Sequence, residues 1–373
     1  MVDVTDTGDL AARLRLLERN RGLQRRADVI DDLRAIVELA PERHGDRLLL
    51  GRALEQRGQE GEAGRQFDWC VDRLSREGSI DVATTTALLR NAHFGSSSRE
   101  TVARLEQLAA LLDGFAEDGP AASRAIALSR GRVLLALGDR DGFLAAIDDA
   151  QERWPDHRGA VELAAVGARW RSAEFPDSQA EKIFVIGLSR TGTSSMHRAL
   201  RHYGYRSLHW VNHLTGALPD ALDHHLFDAF SDINISAVFE SLYFQFPSAR
   251  FIWTERPAAS WSRSVEAHYR NFAGVTHPSE LLSPAHALRF GARNGEIHAS
   301  VYANHDSWSA AHAAYQTRVE AFFADKPAEK LLRISVTSGE EWDPISEFLD
   351  RPTPDAPFPH ANAAPSETAV EGA

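Results

Sequence analysis

The sequence Ile183-Phe184-Val185-Ile186-Gly187-Leu188-Ser189-Arg190-Thr191-Gly192-Thr193-Ser194-Ser195-Met196 predicts a strand, a loop and the start of a helix, in that order. Its first four residues are apolar and mostly β-branched, which is typical of a buried parallel strand. The loop contains Gly187 and Gly192, where the backbone can approach a ligand closely. The helix is predicted from Ser194 to about Tyr203. Loop N–H groups, hydroxyls and the positive end of the helix dipole all favour an anion, so this stretch predicts a phosphate-binding site.

The loop differs from a Walker A motif in the position of its cation. The pattern G-x-x-x-x-G-K-[ST] places Lys directly after the second glycine. Here Thr193 stands at that position, and the cation, Arg190, lies earlier in the loop. Taken by itself, the loop is also compatible with an ordinary strand–turn–helix corner that is rich in small residues.

Length and composition indicate a soluble protein of two or three domains. The chain has 373 residues, a formal net charge of −12 and a single cysteine, Cys70. The acidic balance argues against a general nucleic-acid binder, and one cysteine excludes an internal disulfide. The N-terminal residues lack the apolar segment of a secretory signal, and no apolar run is long enough to span a bilayer. We therefore expect a cytoplasmic protein without a membrane span and without a nucleic-acid partner.

Residues 1–175 are predicted to form an all-helical domain, because apolar residues recur there at helical spacing and strand signals are absent. The predicted helices are Ala27–Leu39, Arg47–Arg57, Glu62–Arg73, Val82–Ala92, Arg99–Leu112, Ala121–Leu137, Gly142–Arg153 and Gly159–Arg171. The segments Leu48–Leu54 and Ser129–Gly138 each lead through a glycine into a second helix, which resembles degenerate tetratricopeptide repeats. A generic helical bundle is the alternative. Either architecture would serve packing or the binding of a protein partner.

From Lys182 onward, strand and helix signals alternate. The predicted strands are Ile183–Ile186, a short strand around Tyr205–His209, an element that ends near Ala229–Asp232, Arg250–Thr254 and Leu331–Ser335. Alternating strands and helices predict an α/β domain whose parallel sheet is covered by helices on both faces. We expect this domain to span residues 182–362, and residues 363–373 to form a flexible tail.

A second part of the predicted site follows the strand Arg250–Thr254. Arg256 would lie at the carboxyl edge of this strand, beside the first loop, where open α/β sheets bind ligands. Its guanidinium can bind a phosphate through two parallel hydrogen bonds. Ser264 lies about two turns into the next helix and could reach the same group. In isolation, an Arg and a Ser at this spacing are common as a surface pair.

In combination, these motifs resemble those of sulfotransferases. Arg190-Thr191-Gly192-Thr193-Ser194 is similar to the 5′-phosphosulfate loop of that family, and Arg256 with Ser264 is similar to its 3′-phosphate motif. A late segment, Glu341–Leu349 followed by Pro357–Asn362, is similar to one found in a sulfotransferase group. The resemblance covers about residues 182–362.

The resemblance implies a P-loop-like fold and a transferase that moves a sulfuryl group from 3′-phosphoadenylyl sulfate (PAPS) to a hydroxyl or amine. The product would be 3′-phosphoadenosine 5′-phosphate (PAP), and no metal is implied. The implied donor-binding residues are Ser189, Arg190, Thr191, Gly192, Thr193, Ser194, Ser195, Arg256 and Ser264. Ser195 stands where well-studied cytosolic members have a Trp that stacks on adenine. Their late R-K-G motif is also missing, so the adenine contacts are unassigned.

Sulfuryl transfer requires positive charge at the leaving phosphate oxygen and a base at the acceptor. Arg190 is our candidate for the first role. For the base, the resemblance indicates Asp232, which lies near the position where cytosolic sulfotransferases have a His, and His209 is the rival. Asp232 could instead serve only as an N-terminal helix cap.

Two other functional classes stay open. A P-loop kinase or NTPase is disfavoured by the missing Walker Lys and by the absence of a strand-end carboxylate suited to Mg²⁺. A non-catalytic nucleotide-binding scaffold would act through its helical domain. The acceptor is not identified by the sequence, since Tyr269, Phe272, Tyr302 and Trp308 are compatible with a sugar, a phenol or an apolar alcohol.

Overall fold

The computed structural model describes residues 26–55, 59–77, 99–114, 120–173, 177–178, 180–212, 218–282, 297–298, 300–339 and 341–361. The chain divides into two compact units. The first contains Met1–Gln179 and two later segments, Pro219–Leu226 and Val238–Ser248, and the second contains the remainder. The predicted helix at 82–92, the end of the predicted helix at 47–57 and the tail at 363–373 lie outside the described residues. The domain boundaries expected from the sequence stay a prediction.

In the described part of residues 26–171, the regular elements of the first unit are all helices. Its helices are α1 (Arg26–Leu39), α2 (His44–Glu55), α3 (Glu60–Glu77), α4 (Arg99–Gly114), α5 (Pro120–Leu137), α6 (Arg140–Arg153) and α7 (Arg158–Arg171). Gly51 allows α2 and α3 to pack closely, because a Cβ at Gly51 would lie 2.5 Å from the ring of Phe67. The predicted helical region is thus confirmed, whereas the resemblance to tetratricopeptide repeats stays a prediction. In the described chain, no helix is both long and apolar enough to cross a bilayer.

From Ile183 onward, strands and helices alternate as predicted. The elements are β1 (Ile183–Val185), α8 (Thr193–His202), β2 (Ser207–His209), α9 (Ala221–Leu226), β3 (Ala229–Ser231), α10 (Ile233–Ser236), α11 (Phe239–Gln245), β4 (Arg250–Thr254), α12 (Ala258–Ala273), α13 (Trp308–Phe323), β5 (Leu331–Ile334) and α14 (Trp342–Leu349). Of these, α9 and α11 belong to the first unit. Between β3 and β4 the chain forms two short helices, α10 and α11, which are separated near Val238, where φ is −134° and non-helical.

The five strands form one parallel sheet in the order β2-β3-β1-β4-β5. All three residues of the central strand β1 are buried, as expected for a strand that is covered on both faces. On one face, Ile183 and Val185 belong to a core cluster with Leu200 of α8. On the other face, the ring of Phe184 packs against Phe230 and Phe251. The expected α/β class is confirmed, and the strand order places the carboxyl ends of β3, β1 and β4 side by side.

Gly187 allows the loop after β1 to pass close to the end of β4. A Cβ at Gly187 would lie 1.8 Å from Thr254 Oγ1, so no side chain fits there. The hydroxyl of Thr191 donates a hydrogen bond to the Leu188 carbonyl (2.7 Å) and lies 2.8 Å from Thr254 Oγ1. Ser236 Oγ donates to the Gly187 carbonyl at 2.7 Å. These contacts fix the start of the loop against its neighbouring segments.

Candidate active site

The loop after β1 ends in a left-handed turn at Gly192, which caps the N-terminus of α8. Gly192 has φ of 105°, a conformation that favours glycine. The first backbone N–H groups of a helix have no acceptor within the helix, and the helix dipole adds positive potential at the same end. The backbone here is therefore suited to binding an anion.

This loop forms part of a cavity of about 930 Å³ within the second unit, a volume in the range of ligand pockets. Ten of the eleven site residues predicted from the sequence line it: Ser189, Arg190, Gly192, Thr193, Ser194, Ser195, His209, Asp232, Arg256 and Ser264. The exception is Thr191, whose buried side chain holds the loop to Leu188 and Thr254. The structure therefore brings together residues that lie up to 75 positions apart in the sequence.

Backbone strain is concentrated at this cavity. Among the described residues other than glycine, four have positive φ: Arg190 (72°), Trp210 (64°), Asp232 (99°) and Asp350 (51°). The first three line the cavity. Such conformations cost free energy, of order 1–3 kcal/mol each, and they occur preferentially at functional sites.

Two guanidinium groups lie near each other in the cavity. Arg256 Nη1 donates to the backbone carbonyl of Arg190 (3.3 Å), and Arg190 Nε donates to Ser264 Oγ (3.3 Å). Within the described part of the chain, neither guanidinium has a carboxylate oxygen within 4.0 Å. Burial, together with the charges of Arg190 and Arg263, lowers the pKa of Arg256. The cavity therefore holds positive charges that repel each other, although the whole chain is acidic.

The predicted partners Arg256 and Ser264 both line the cavity but do not bond to each other. Arg256 Nε donates instead to Ser260 Oγ at 3.2 Å, while Ser264 accepts from Arg190. Ser260 was missed by sequence reasoning, although its position four residues after Arg256 and four before Ser264 is a usable signal. We conclude that Ser260 helps to orient Arg256.

His209 ends β2, and Asp232 directly follows β3. Because these two strands are adjacent and parallel, the two residues are neighbours. Asp232 Oδ2 lies 3.3 Å from His209 Nε2, which is also 2.9 Å from Ser194 Oγ. On the other side of the ring, His209 Nδ1 lies 2.9 Å from Ser231 Oγ, and that hydroxyl donates to the Leu208 carbonyl. Ser231 must therefore accept the proton of Nδ1. Nε2 then carries a proton only when His209 is cationic.

The Asp232 carboxylate has two roles in the structure. It faces the cavity, and it accepts a hydrogen bond from the Ile233 N–H (2.7 Å) as the N-terminal cap of α10. Burial raises the pKa of Asp232, and the charge of His209 and the Ile233 N–H partly oppose that rise. Asp232 therefore caps α10 as expected from the sequence, and its carboxylate can also contact a ligand in the cavity.

Six cavity residues were missed by sequence reasoning: Trp210, His268, His298, Val336, Thr337 and Gly339. One signal was available for His268, because Ser260, Ser264, His268 and Phe272 follow one another at intervals of four residues and share a face of α12. The late segment is joined to the first turn of α8 by a hydrogen bond from the Ala361 N–H to Ser195 Oγ (2.9 Å).

Of the four aromatic residues considered for the acceptor, only Phe272 lines the cavity. Tyr269, Tyr302 and Trp308 are buried and pack against one another. The Tyr302 hydroxyl accepts a hydrogen bond from the Ser189 N–H at 3.0 Å, so this buried cluster stabilises the loop after β1. In the part of the chain that the structure covers, no group of three or more His, Cys, Asp or Glu residues is arranged to hold a metal ion.

Residues 182–366 match the family model described as Sulfotransferase domain. A curated relative, Ava biosynthesis cluster protein M of Aspergillus versicolor, is 24% identical over 213 residues, which are 48% of this chain and 80% of the relative. The resemblance that we inferred from the loop, Arg256 and the late segment is therefore confirmed for this region.

Proposed function

We propose that the sulfotransferase domain at residues 182–366 transfers a sulfuryl group from PAPS to a hydroxyl or amine of an acceptor. The observation that supports this most strongly is the pair Arg190 and Arg256, two guanidinium groups without a carboxylate partner among the described residues. Like charges that are held together need an anionic ligand to offset their repulsion. PAPS has anionic groups at both its 5′ and 3′ positions, so each guanidinium would have one.

The residues around the two arginines fit such a donor. The α8 N-terminus, with the hydroxyls of Thr193 and Ser194, would hold the 5′-phosphosulfate, since both residues line the cavity. Arg256, oriented by Ser260, would bind the 3′-phosphate. The absence of a side chain at Gly192 leaves the backbone open at the point of closest approach.

In the proposed reaction, the acceptor oxygen forms a bond to sulfur while the bond from sulfur to the 5′-phosphate oxygen breaks. Negative charge develops on that phosphate oxygen, and Arg190 would stabilise it. The proton of the acceptor hydroxyl would pass to the pair formed by Asp232 and His209. No redox change and no metal is needed for this balance.

We assign the base to Asp232 and the positioning of its carboxylate to His209. A carboxylate offers about four lone-pair positions, and Asp232 uses one of them for the Ile233 N–H. In neutral His209, Nδ1 bonds to Ser231 and Nε2 bonds to Ser194. Asp232 therefore keeps an acceptor position for a substrate proton.

Titration calorimetry with PAP, followed by an acceptor screen with PAPS that carries labelled sulfate, tests the proposal. We expect PAP to bind and label to reach at least one acceptor. A chain that binds PAP but labels no acceptor would favour the non-catalytic nucleotide-binding scaffold, and a chain that binds no PAP would contradict the proposal. Cytoplasmic location and a protein partner for the helical unit stay predictions.

Arg256→Ala is expected to weaken donor binding before it affects the chemical step. Losing a desolvated contact between a guanidinium and a phosphate costs about 2–5 kcal/mol. The measurement is the affinity for PAP and for adenosine 5′-phosphate, and only the first should fall. Arg270→Ala is a matched control, since Arg270 is exposed on the same helix and pairs with Glu266. If the Arg256 variant still discriminates between the two nucleotides as the wild type does, another residue recognises the 3′-phosphate.

Sulfuryl transfer is expected to survive EDTA, because Arg190 and the α8 N-terminus supply the positive charge that the leaving group needs. The measurement is the initial rate after dialysis against EDTA, with and without added Mg²⁺. A strict Mg²⁺ requirement, with turnover of ATP, would support the P-loop NTPase alternative in place of our proposal.

A further inference from the structure

The end of the cavity near Asp232 is lined by flat side chains. The rings of His268 and Phe272 are one turn apart on α12 and stacked, with centroids 5.5 Å apart and planes at 8°. A second ring contact joins Trp210 and His298, whose ring centroids are 5.0 Å apart. All four residues line the cavity.

Phe272 is unusual in its exposure. Its side chain is 49% exposed, and among the described large hydrophobic residues only Val161, at 48%, is comparable. An apolar ring that faces water gains free energy when a ligand covers it, by about 25 cal/mol per Å². Because this ring also lines the cavity, a ligand inside the cavity would provide that cover.

Trp210 lies beside the proposed base, because its N–H donates to the carbonyl of Ser231, the residue before Asp232, at 3.1 Å. Burial, followed by the charge of Arg190, lowers the pKa of His268, which favours the uncharged imidazole. Arg190 and Arg256 are the only Lys or Arg residues among the described lining residues. A polyanionic acceptor would therefore find no additional cation here.

We propose that Trp210, His268, Phe272 and His298 form the acceptor subsite, and that the acceptor is an uncharged aromatic alcohol such as a phenol. Its ring would pack against Phe272 and His268, and its hydroxyl would reach Asp232. This inference rests on the proposed sulfuryl transfer. The left-handed backbone of Trp210, with φ of 64°, supports it, because strain of this kind is retained where a side chain must be held toward a ligand.

The test is calorimetric titration of the full chain, saturated with PAP, with 2-naphthol and separately with methyl glucoside. We expect 2-naphthol to bind more tightly than the glucoside. Phe272→Ala should weaken 2-naphthol binding about tenfold, the typical value of a lost aromatic contact. Phe272→Tyr should retain binding, and Val161→Ala, which removes the other exposed hydrophobic side chain, should change nothing.

The outcomes separate this inference from the proposed function. If PAP does not bind, the proposed function fails, and the subsite with it. If PAP binds but the glucoside binds better, or if Phe272→Ala leaves the 2-naphthol affinity unchanged, the subsite is wrong and the sulfuryl-transfer proposal stands.

Discussion

Replacing Arg190 with alanine is expected to slow sulfuryl transfer by about 10²-fold or more, because removing one donor aimed at developing negative charge has an effect of that size. Arg190 lies in the loop between β1 and α8, and its Nε already bonds to Ser264 in the cavity. In the proposed reaction its charge is needed most when the bond from sulfur to the 5′-phosphate oxygen is breaking. The variant should therefore lose turnover more than it loses affinity for PAP.

The folded structure should survive this change. Arg190 has φ of 72°, which is equally unfavourable for arginine and for alanine, so the substitution adds no backbone strain. We expect nearly the same thermal unfolding midpoint for both proteins. Arg190→Lys keeps the charge but loses the planar guanidinium, and it should have intermediate activity.

A matched control is available on α8 itself. Arg198 is exposed, and it is not among the described lining residues of the cavity, so Arg198→Ala removes the same charge without changing the site. Single-turnover rates of labelled sulfate transfer provide the comparison. Turnover close to wild type in Arg190→Ala, or an equal loss in Arg198→Ala, would contradict the assignment of Arg190 to the leaving group.

The sequence was sufficient to predict those parts of the fold that depend on local pattern. The β-branched run at Ile183 predicted the central strand, and the two glycines around Arg190 predicted the turn into α8. Both glycines also have a physical explanation, because Thr254 leaves no space for a side chain at Gly187, and Gly192 has a φ of 105°, which favours glycine. Local pattern was informative here because the strand depends on the β-propensity of its own residues, and the turn depends on glycines that are close together in the sequence.

The features that sequence reasoning missed depend on strand order and on long-range packing. His209 and Asp232 are 23 residues apart, and their 3.3 Å contact arises because β2 pairs with β3 and not with β1. His298 and Ala361 enter the cavity from segments far from the loop. The positions 219–226 and 238–248 join the first unit although they lie between strands of the second. Hydrophobic periodicity does not encode any of these pairings.

The pH dependence of turnover should report the proposed base. A protonated Asp232 cannot accept a proton, so activity is present above its pKa in the folded enzyme and is lost as the pH falls through that value. Burial raises this pKa above 3.8, the ordinary value for Asp. The measurement is the pH profile of kcat/KM, whose acidic limb should lie above that ordinary value.

Asp232→Asn is expected to lower kcat by at least about 10²-fold while the affinity for PAP stays nearly unchanged. The amide keeps the shape of the carboxylate and its oxygen can still accept the Ile233 N–H, but it is no longer a base. His209→Ala should have a smaller effect, because it removes only the partner that positions the carboxylate. The acidic limb of the pH profile should also change in Asp232→Asn. The reverse ranking of the two variants would transfer the role of base to His209.

A third variant separates the base from the helix cap. Asp232 has φ of 99° and ψ of −179°, a region that is essentially reserved for glycine. Asp232→Gly should relieve strain of order 1–3 kcal/mol, whereas exchanging an Asp cap for Gly costs only a few tenths of a kcal/mol. We therefore expect this variant to be more stable than the wild type in chemical denaturation and yet to lose turnover as severely as Asp232→Asn. Such a result means that Asp232 is retained for chemistry at the expense of stability. If Asp232→Gly lowers stability and leaves turnover intact, the residue is a helix cap and the base must be sought elsewhere.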